Sequence, residues 1–123
     1  MPDDIKYGLP ETAINEVISI LSKNLRVHKV ILFGSRAKGT FRNGSDVDLA
    51  LVGLELELND VLDASVEIEE LSLPYKFDLI ISERIKEASL INHINRVGIV
   101  LFDRLSTTIN QDKYEPESRK YDC

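Results

Sequence analysis

The feature that most restricts the fold of this chain is the alternation of short apolar runs with segments of helical periodicity. The runs are rich in branched and aromatic residues, which favours strands, and they cover residues 27–33, 46–52, 76–81 and 98–102. Apolar residues recur at helical spacing in three further segments, at residues 11–24, 58–71 and 83–96. This order predicts a small α/β or α+β domain, in which a mixed sheet of about four strands is flanked by helices.

Local signals give the expected limits of these elements. Pro10 suits the first turn of the first helix, whose apolar face is expected to run from Ile14 to Leu25. Asn59 and Ser82 are expected to cap the second and third helices. Residues 1–9 are expected to form a loose lead-in. The first two strands could be parallel or antiparallel, because their connection, residues 34–45, does not decide between the two.

Length and composition are those of one compact domain. The 123 residues are 43% hydrophobic, which is enough for a core, and we assign residues 1–103 to the domain. The polar segment 104–123 is expected to be flexible or to fold only against a partner. Cys123 is the single cysteine, so no disulfide can form within the chain. With no apolar segment of membrane-spanning length and no signal peptide, a cytoplasmic protein is expected.

The charge of the chain argues against general nucleic-acid binding. The formal net charge is −6, whereas proteins that hold the phosphate backbone usually present a basic face. Residues 55–70 contain acidic residues and no Lys or Arg. This segment could be a solvated helix face or a docking surface for a basic partner.

Three aspartates are the strongest candidates for chemistry. Asp46 and Asp48 are two apart on a predicted strand, so their side chains are expected to share a face. Converging carboxylates need a cation or a proton, and oxygen ligands of this kind suit Mg²⁺. Asp78 lies inside another apolar strand and would complete a two-metal site if the two strands are neighbours. The alternatives are exposed acids at a turn and, for Asp78, an edge strand facing water.

A phosphate site is expected directly before these aspartates. Gly34 and Ser35 follow the first strand, where a glycine allows close backbone approach and the next N–H groups and a hydroxyl can bind phosphate oxygens. Arg36 and Lys38 add positive charge, although both could be ordinary surface residues. His28 and His93 have no second ligand at metal-binding spacing and are expected to be structural or surface residues.

The Gly34-Ser35 pair, ten intervening residues and then Asp46-Val47-Asp48 resemble the signature of the DNA polymerase β-like nucleotidyltransferase superfamily. The resemblance covers residues 11–102 and is to the small minimal nucleotidyltransferase (MNT) branch, of which many members are antitoxins encoded beside HEPN-domain ribonuclease toxins. It implies a polymerase β-like fold, Mg²⁺ bound by Asp46, Asp48 and Asp78, and Gly34 and Ser35 on the β and γ phosphates of ATP.

The resemblance also implies a reaction and a partner. In the antitoxins, AMP is transferred from ATP to a tyrosine of the HEPN toxin, which silences it, and Asp78 could act as the base on the acceptor hydroxyl. Two other functions remain open at this point: an antitoxin that masks its toxin without catalysis, and a nucleotidyltransferase that modifies a small molecule such as an antibiotic.

Overall fold

The computed structural model describes residues 4–105, so most of the segment predicted to be flexible lies outside the described residues. The strands are, in chain order, β1 (Ile5–Lys6), β2 (Leu9–Pro10), β3 (Lys29–Phe33), β4 (Val47–Val52), β5 (Phe77–Ile81) and β6 (Ile99–Asp103). The helices are α1 (Glu11–Ser22), α2 (Ser35–Lys38), α3 (Leu58–Glu70) and α4 (Ala88–Val97), with a 3₁₀ turn at Ser82–Arg84. Within residues 4–105, no helix has the length and apolar character needed to cross a membrane.

Four strands form one mixed sheet in the order β5-β4-β3-β6. Strands β3 and β4 are antiparallel, which answers the question that the sequence left open. Strands β4 and β5 are parallel neighbours. The predicted fold class, a four-stranded mixed sheet flanked by helices, is therefore confirmed.

The two faces of the sheet are covered by different helices. Helices α1 and α3 cover one face, where Val17 and Ile68 belong to the same buried cluster as Leu49. Helix α4 covers the other face, where Ile94 packs with Phe33. Burying one large aliphatic side chain of this kind contributes about 1.5–3 kcal/mol, so the central strands stabilise the frame that carries the site.

The first described residues are ordered differently from the expectation of a loose lead-in. Strands β1 and β2 pair as an antiparallel hairpin, and Tyr7 and Gly8 both have positive φ at its turn. Positive φ at both central residues is the tight hairpin geometry that matches strand twist. Leu9 is buried to 2% exposure in the core, which fixes the hairpin on the domain.

Three helix limits also differ from the prediction. Helix α1 ends at Ser22, so Leu25 lies beyond it and is exposed instead of belonging to its apolar face. Helix α3 has Glu57 at its N-cap, and the carboxylate of Asp60, not the amide of Asn59, accepts the hydrogen bond from the Glu57 N–H.

The third predicted helix begins later than expected, and Ser82 does not cap it. The chain first makes the 3₁₀ turn, in which the Glu83 carboxylate accepts a hydrogen bond from the Gly53 N–H at 3.0 Å. Arg84 donates to the carbonyl of Leu56 at 3.2 Å. These contacts hold the turn against the loop after β4, so α4 starts only at Ala88.

Candidate active site

The sheet brings Asp48 and Asp78 side by side. The two residues are direct partners in the register of the parallel strands β4 and β5. Partners in a parallel pair point to the same face, and neighbouring strands lie about 4.8 Å apart. Asp46 directly precedes β4 and is two residues from Asp48, so it continues the same side of the strand. All three are partly exposed.

The pKa of Asp48 responds to burial and to both other aspartates. Partial burial raises the pKa of Asp48, and the negative charges of Asp78 and then Asp46 raise it further. His93 acts in the opposite direction on the pKa of Asp48. Asp48 is thus ionised at a free-energy cost that a bound cation would offset.

The donor set fits Mg²⁺ that arrives with a nucleotide. Among residues 4–105, no three Asp, Glu, His or Cys side chains are gathered tightly enough to form a complete metal site by themselves. Mg²⁺ usually keeps several waters and is held by one or two carboxylates together with substrate phosphates. Loosely grouped aspartates are therefore sufficient if triphosphate oxygens supply the other ligands.

Gly34, at the turn after β3, lies directly against the carboxylate of Asp48. Its φ of 78° and ψ of −157° belong to a backbone region that is essentially restricted to glycine. A Cβ at this position would overlap the Oδ2 atom of Asp48. The backbone of the turn therefore packs directly on the Asp48 carboxylate, and only glycine fits at this position.

Helix α2, which begins directly after Gly34, is only four residues long. The first N–H groups of a helix have no acceptor within it, so those of Ser35 and the next residues point to the space before the helix. Gly39 ends α2 in the left-handed conformation, and its N–H donates to the Ser35 carbonyl at 2.9 Å. Lys38, the last residue of α2, is exposed.

Arg36 is placed differently from the expectation of a phosphate ligand. Its side chain is buried, with 4% exposure, and donates to the main-chain carbonyls of Ser45 at 2.9 Å and Tyr7 at 2.9 Å. The guanidinium also lies over the rings of Phe41 and Tyr75. Arg36 thus fixes the residue before Asp46 and is not directed to solvent.

Comparison with known proteins identifies the family. Residues 15–107 match the family model described as polymerase beta, nucleotidyltransferase. The chain belongs to this nucleotidyltransferase family. The match spans the Gly34-Ser35 turn and all three aspartates.

A curated relative and two solved structures are similar to this chain. The chain is 37% identical over 76 residues to "Putative protein adenylyltransferase" of Methanocaldococcus jannaschii, an alignment covering 50% of this chain and 76% of the relative. A crystal structure of a toxin–antitoxin with AMP-PNP superposes with a TM-score of 0.62 at 22% identity, covering 76% of both chains. The MNT antitoxin complex with a tri-AMPylated HEPN toxin of Shewanella oneidensis gives a TM-score of 0.59 at 18% identity, over 80% of this chain and 76% of the other. Both structures share the nucleotidyltransferase fold.

His93, for which the sequence predicted a structural or surface role, contacts the turn at Gly34. Its Nε2 atom accepts a hydrogen bond from the Gly34 N–H at 2.9 Å. No spacing signal could have shown this, because the two residues are 59 positions apart. The structure therefore adds a side chain from α4 to a site that the sequence built from β3, β4 and β5.

Proposed function

We propose that this chain transfers AMP from Mg²⁺-bound ATP to a hydroxyl, most simply a tyrosine, of a HEPN toxin and thereby neutralises it. The observation that carries the proposal is the in-register pair Asp48–Asp78 beside the Gly34-Ser35 turn. The name of the Methanocaldococcus relative supports adenylyl transfer to a protein. The toxin–antitoxin neighbours support an antitoxin role and a toxin as partner.

The residues of the chain have distinct parts in this reaction. Asp46, Asp48 and Asp78 would hold Mg²⁺, which when bound supplies charge neutralisation on the phosphates. Ser35 would bind the β and γ phosphates through its N–H and hydroxyl, and Gly34, whose N–H is held by His93, would allow the close approach of the backbone. The acceptor oxygen bonds to the α phosphorus as the bond to the bridging oxygen breaks. Pyrophosphate leaves, and Asp78 takes the hydroxyl proton.

The acceptor is expected to come from another molecule. The described residues form a four-stranded sheet with its helices and a two-stranded hairpin, and β5, which carries Asp78, is an edge strand of the larger sheet. An edge position leaves the side of Asp78 away from β4 without a neighbouring strand. A partner that approaches along this edge can bring a hydroxyl to the carboxylates, which supports a protein acceptor for a domain of this size.

The test is transfer of labelled AMP to the product of the neighbouring gene, which the proposal expects to be a HEPN protein. We expect label on the partner in the presence of Mg²⁺ and none with Asp48→Asn. Glu16→Gln, which changes an exposed carboxylate on α1, is the matched control and should transfer normally. A partner that stays unlabelled with the wild-type chain and Mg²⁺ would refute the proposal.

Neutralisation by binding alone is the second candidate, and the outer face of α3 favours it. Leu58, Leu62 and Val66 are each more than half exposed there. Glu69 and Glu70 are exposed on the same helix. If the double variant Asp46→Asn, Asp48→Asn protects cells from the toxin as well as the wild type does, binding is sufficient. Loss of protection would assign the neutralisation to catalysis.

A further inference from the structure

One side chain of α4 reaches across to the phosphate turn. The imidazole of His93 accepts the Gly34 N–H at Nε2, which requires the proton of a neutral ring to be on Nδ1. The same ring stands edge-on to Phe33, the residue before the turn, with centroids 6.2 Å apart and planes at 80°. His93 thus contacts two consecutive residues at the exit of β3.

We propose that His93 is a positioning residue for nucleotide transfer, which fixes the Gly34 peptide and through it the Asp48 carboxylate. The inference rests on the proposed function, because it assigns a role within that same site. The backbone of Gly34 lies against Asp48 so closely that no side chain fits between them. A change in the Gly34 backbone would therefore displace both the Ser35 N–H, which is proposed to bind phosphate, and the Asp48 carboxylate.

Helix α4, which carries His93, is held in place on the sheet. Its neighbour Ile94 is buried, with 7% exposure, in the cluster that joins α4 to the sheet. Helix α4 therefore cannot shift without opening this cluster. The glycine, in contrast, has a wide conformational range and would lose its order most readily without a partner for its N–H. The hydrogen bond from Gly34 to His93 therefore restrains the turn relative to α4.

The position of the acceptor atom distinguishes this role from simple packing. Leu at position 93 fills space near Phe33 but accepts no hydrogen bond. Gln can place its amide oxygen close to the position of Nε2, whereas the amide oxygen of Asn falls short of it. We therefore expect His93→Gln to restore what His93→Leu and His93→Asn lose. A residue that only filled space would give a different order.

The experiment measures KM for MgATP, kcat and the melting temperature of the whole chain, with labelled AMP transfer to the HEPN partner as the assay. Loss of one hydrogen bond to a part-buried N–H corresponds to a KM about tenfold higher for His93→Leu and His93→Asn. His93→Gln should stay within about threefold of the wild type. Asn92→Ala, at an exposed neighbour on α4, is the control and should change nothing.

The outcomes separate this inference from the function on which it rests. A wild-type chain that transfers no AMP contradicts the proposed function and the positioning role with it. An active wild type with unchanged KM in the Leu and Asn variants overturns only the role of His93. An equal rise in KM for the Gln and Asn variants also overturns it, since the acceptor position would then not matter. If the Leu variant does not fold, the Gln and Asn pair alone decides.

Discussion

Gly34 offers the most direct test of the link between the turn and the carboxylates. Gly34→Ala introduces a methyl group whose carbon would overlap Oδ2 of Asp48 and lie 3.2 Å from its Cγ. The φ of 78° and ψ of −157° add a conformational cost of about 1–3 kcal/mol for a residue with a Cβ. The chain must move the turn, the carboxylate or both.

Gly34→Ala is expected to reduce both the stability and the activity of the chain. A loss of about 1–3 kcal/mol lowers the melting temperature of a domain of this size by roughly 4–8 °C per kcal/mol. A shift of about 1 Å in a metal-binding carboxylate can reduce the rate about 100-fold. We therefore expect Gly34→Ala to fold with reduced stability and to lose about 100-fold in kcat/KM, measured as AMP transfer at a temperature where it is folded.

Gly39→Ala is the matched control. Gly39 has a φ of 84°, but a Cβ there would meet no atom within 4 Å. The control therefore shares a backbone cost without the contact to Asp48, and it should lose stability while keeping near wild-type kcat/KM. Equal kcat/KM for the two folded variants would refute the argument that Gly34 packs on the carboxylate to hold it in place.

Three further predictions concern the same site. Asp48→Asn should abolish transfer yet raise the melting temperature at neutral pH. The pKa of Asp48 is raised in the folded chain, so the wild type loses stability as the pH rises from the ordinary aspartate pKa through the raised one. The neutral amide of the variant avoids this loss. The stabilisation should vanish below both values, and a variant less stable than the wild type at pH 7 would contradict this. Arg36→Met should lower the free energy of unfolding by about 3 kcal/mol, measured by urea denaturation, because two carbonyls lose a charged donor. A variant that is as stable as the wild type but fails to bind ATP would instead indicate that Arg36 binds phosphate. Chelation of divalent metal should stop transfer without unfolding the chain in circular dichroism, and added Mg²⁺ should restore it; coincident loss of fold would show a structural metal.

The parts of the fold that could be predicted are those in which a local pattern decides the structure. The apolar runs gave β3 to β6 within two residues, because buried strands need continuous apolar sequence. The hairpin of β1 and β2 was missed, since Tyr7-Gly8 is not a common turn pair and its order depends on Leu9 entering a distant core.

The site divides in the same way. Asp46, Asp48 and the Gly34-Ser35 turn could be chosen as candidates from spacing along one segment, whereas the place of Asp78 beside Asp48 depended on which strands pair. Arg36 was assigned to phosphate because a sequence shows its charge but not its burial. His93 could not be found, because its contact with Gly34 requires α4 to pack across β3.

The parallel pairing of β4 and β5 has a consequence for how the site tolerates change. The hydrogen bonds between β4 and β5 set the distance between the Asp48 and Asp78 backbones. The length of the chain between the two residues does not affect this distance. Residues 71–75 join α3 to β5 before this ladder, whose first hydrogen bond runs from the Val47 N–H to the Lys76 carbonyl. Insertions or deletions in that connection can therefore accumulate between relatives while the distance between the two carboxylates stays the same.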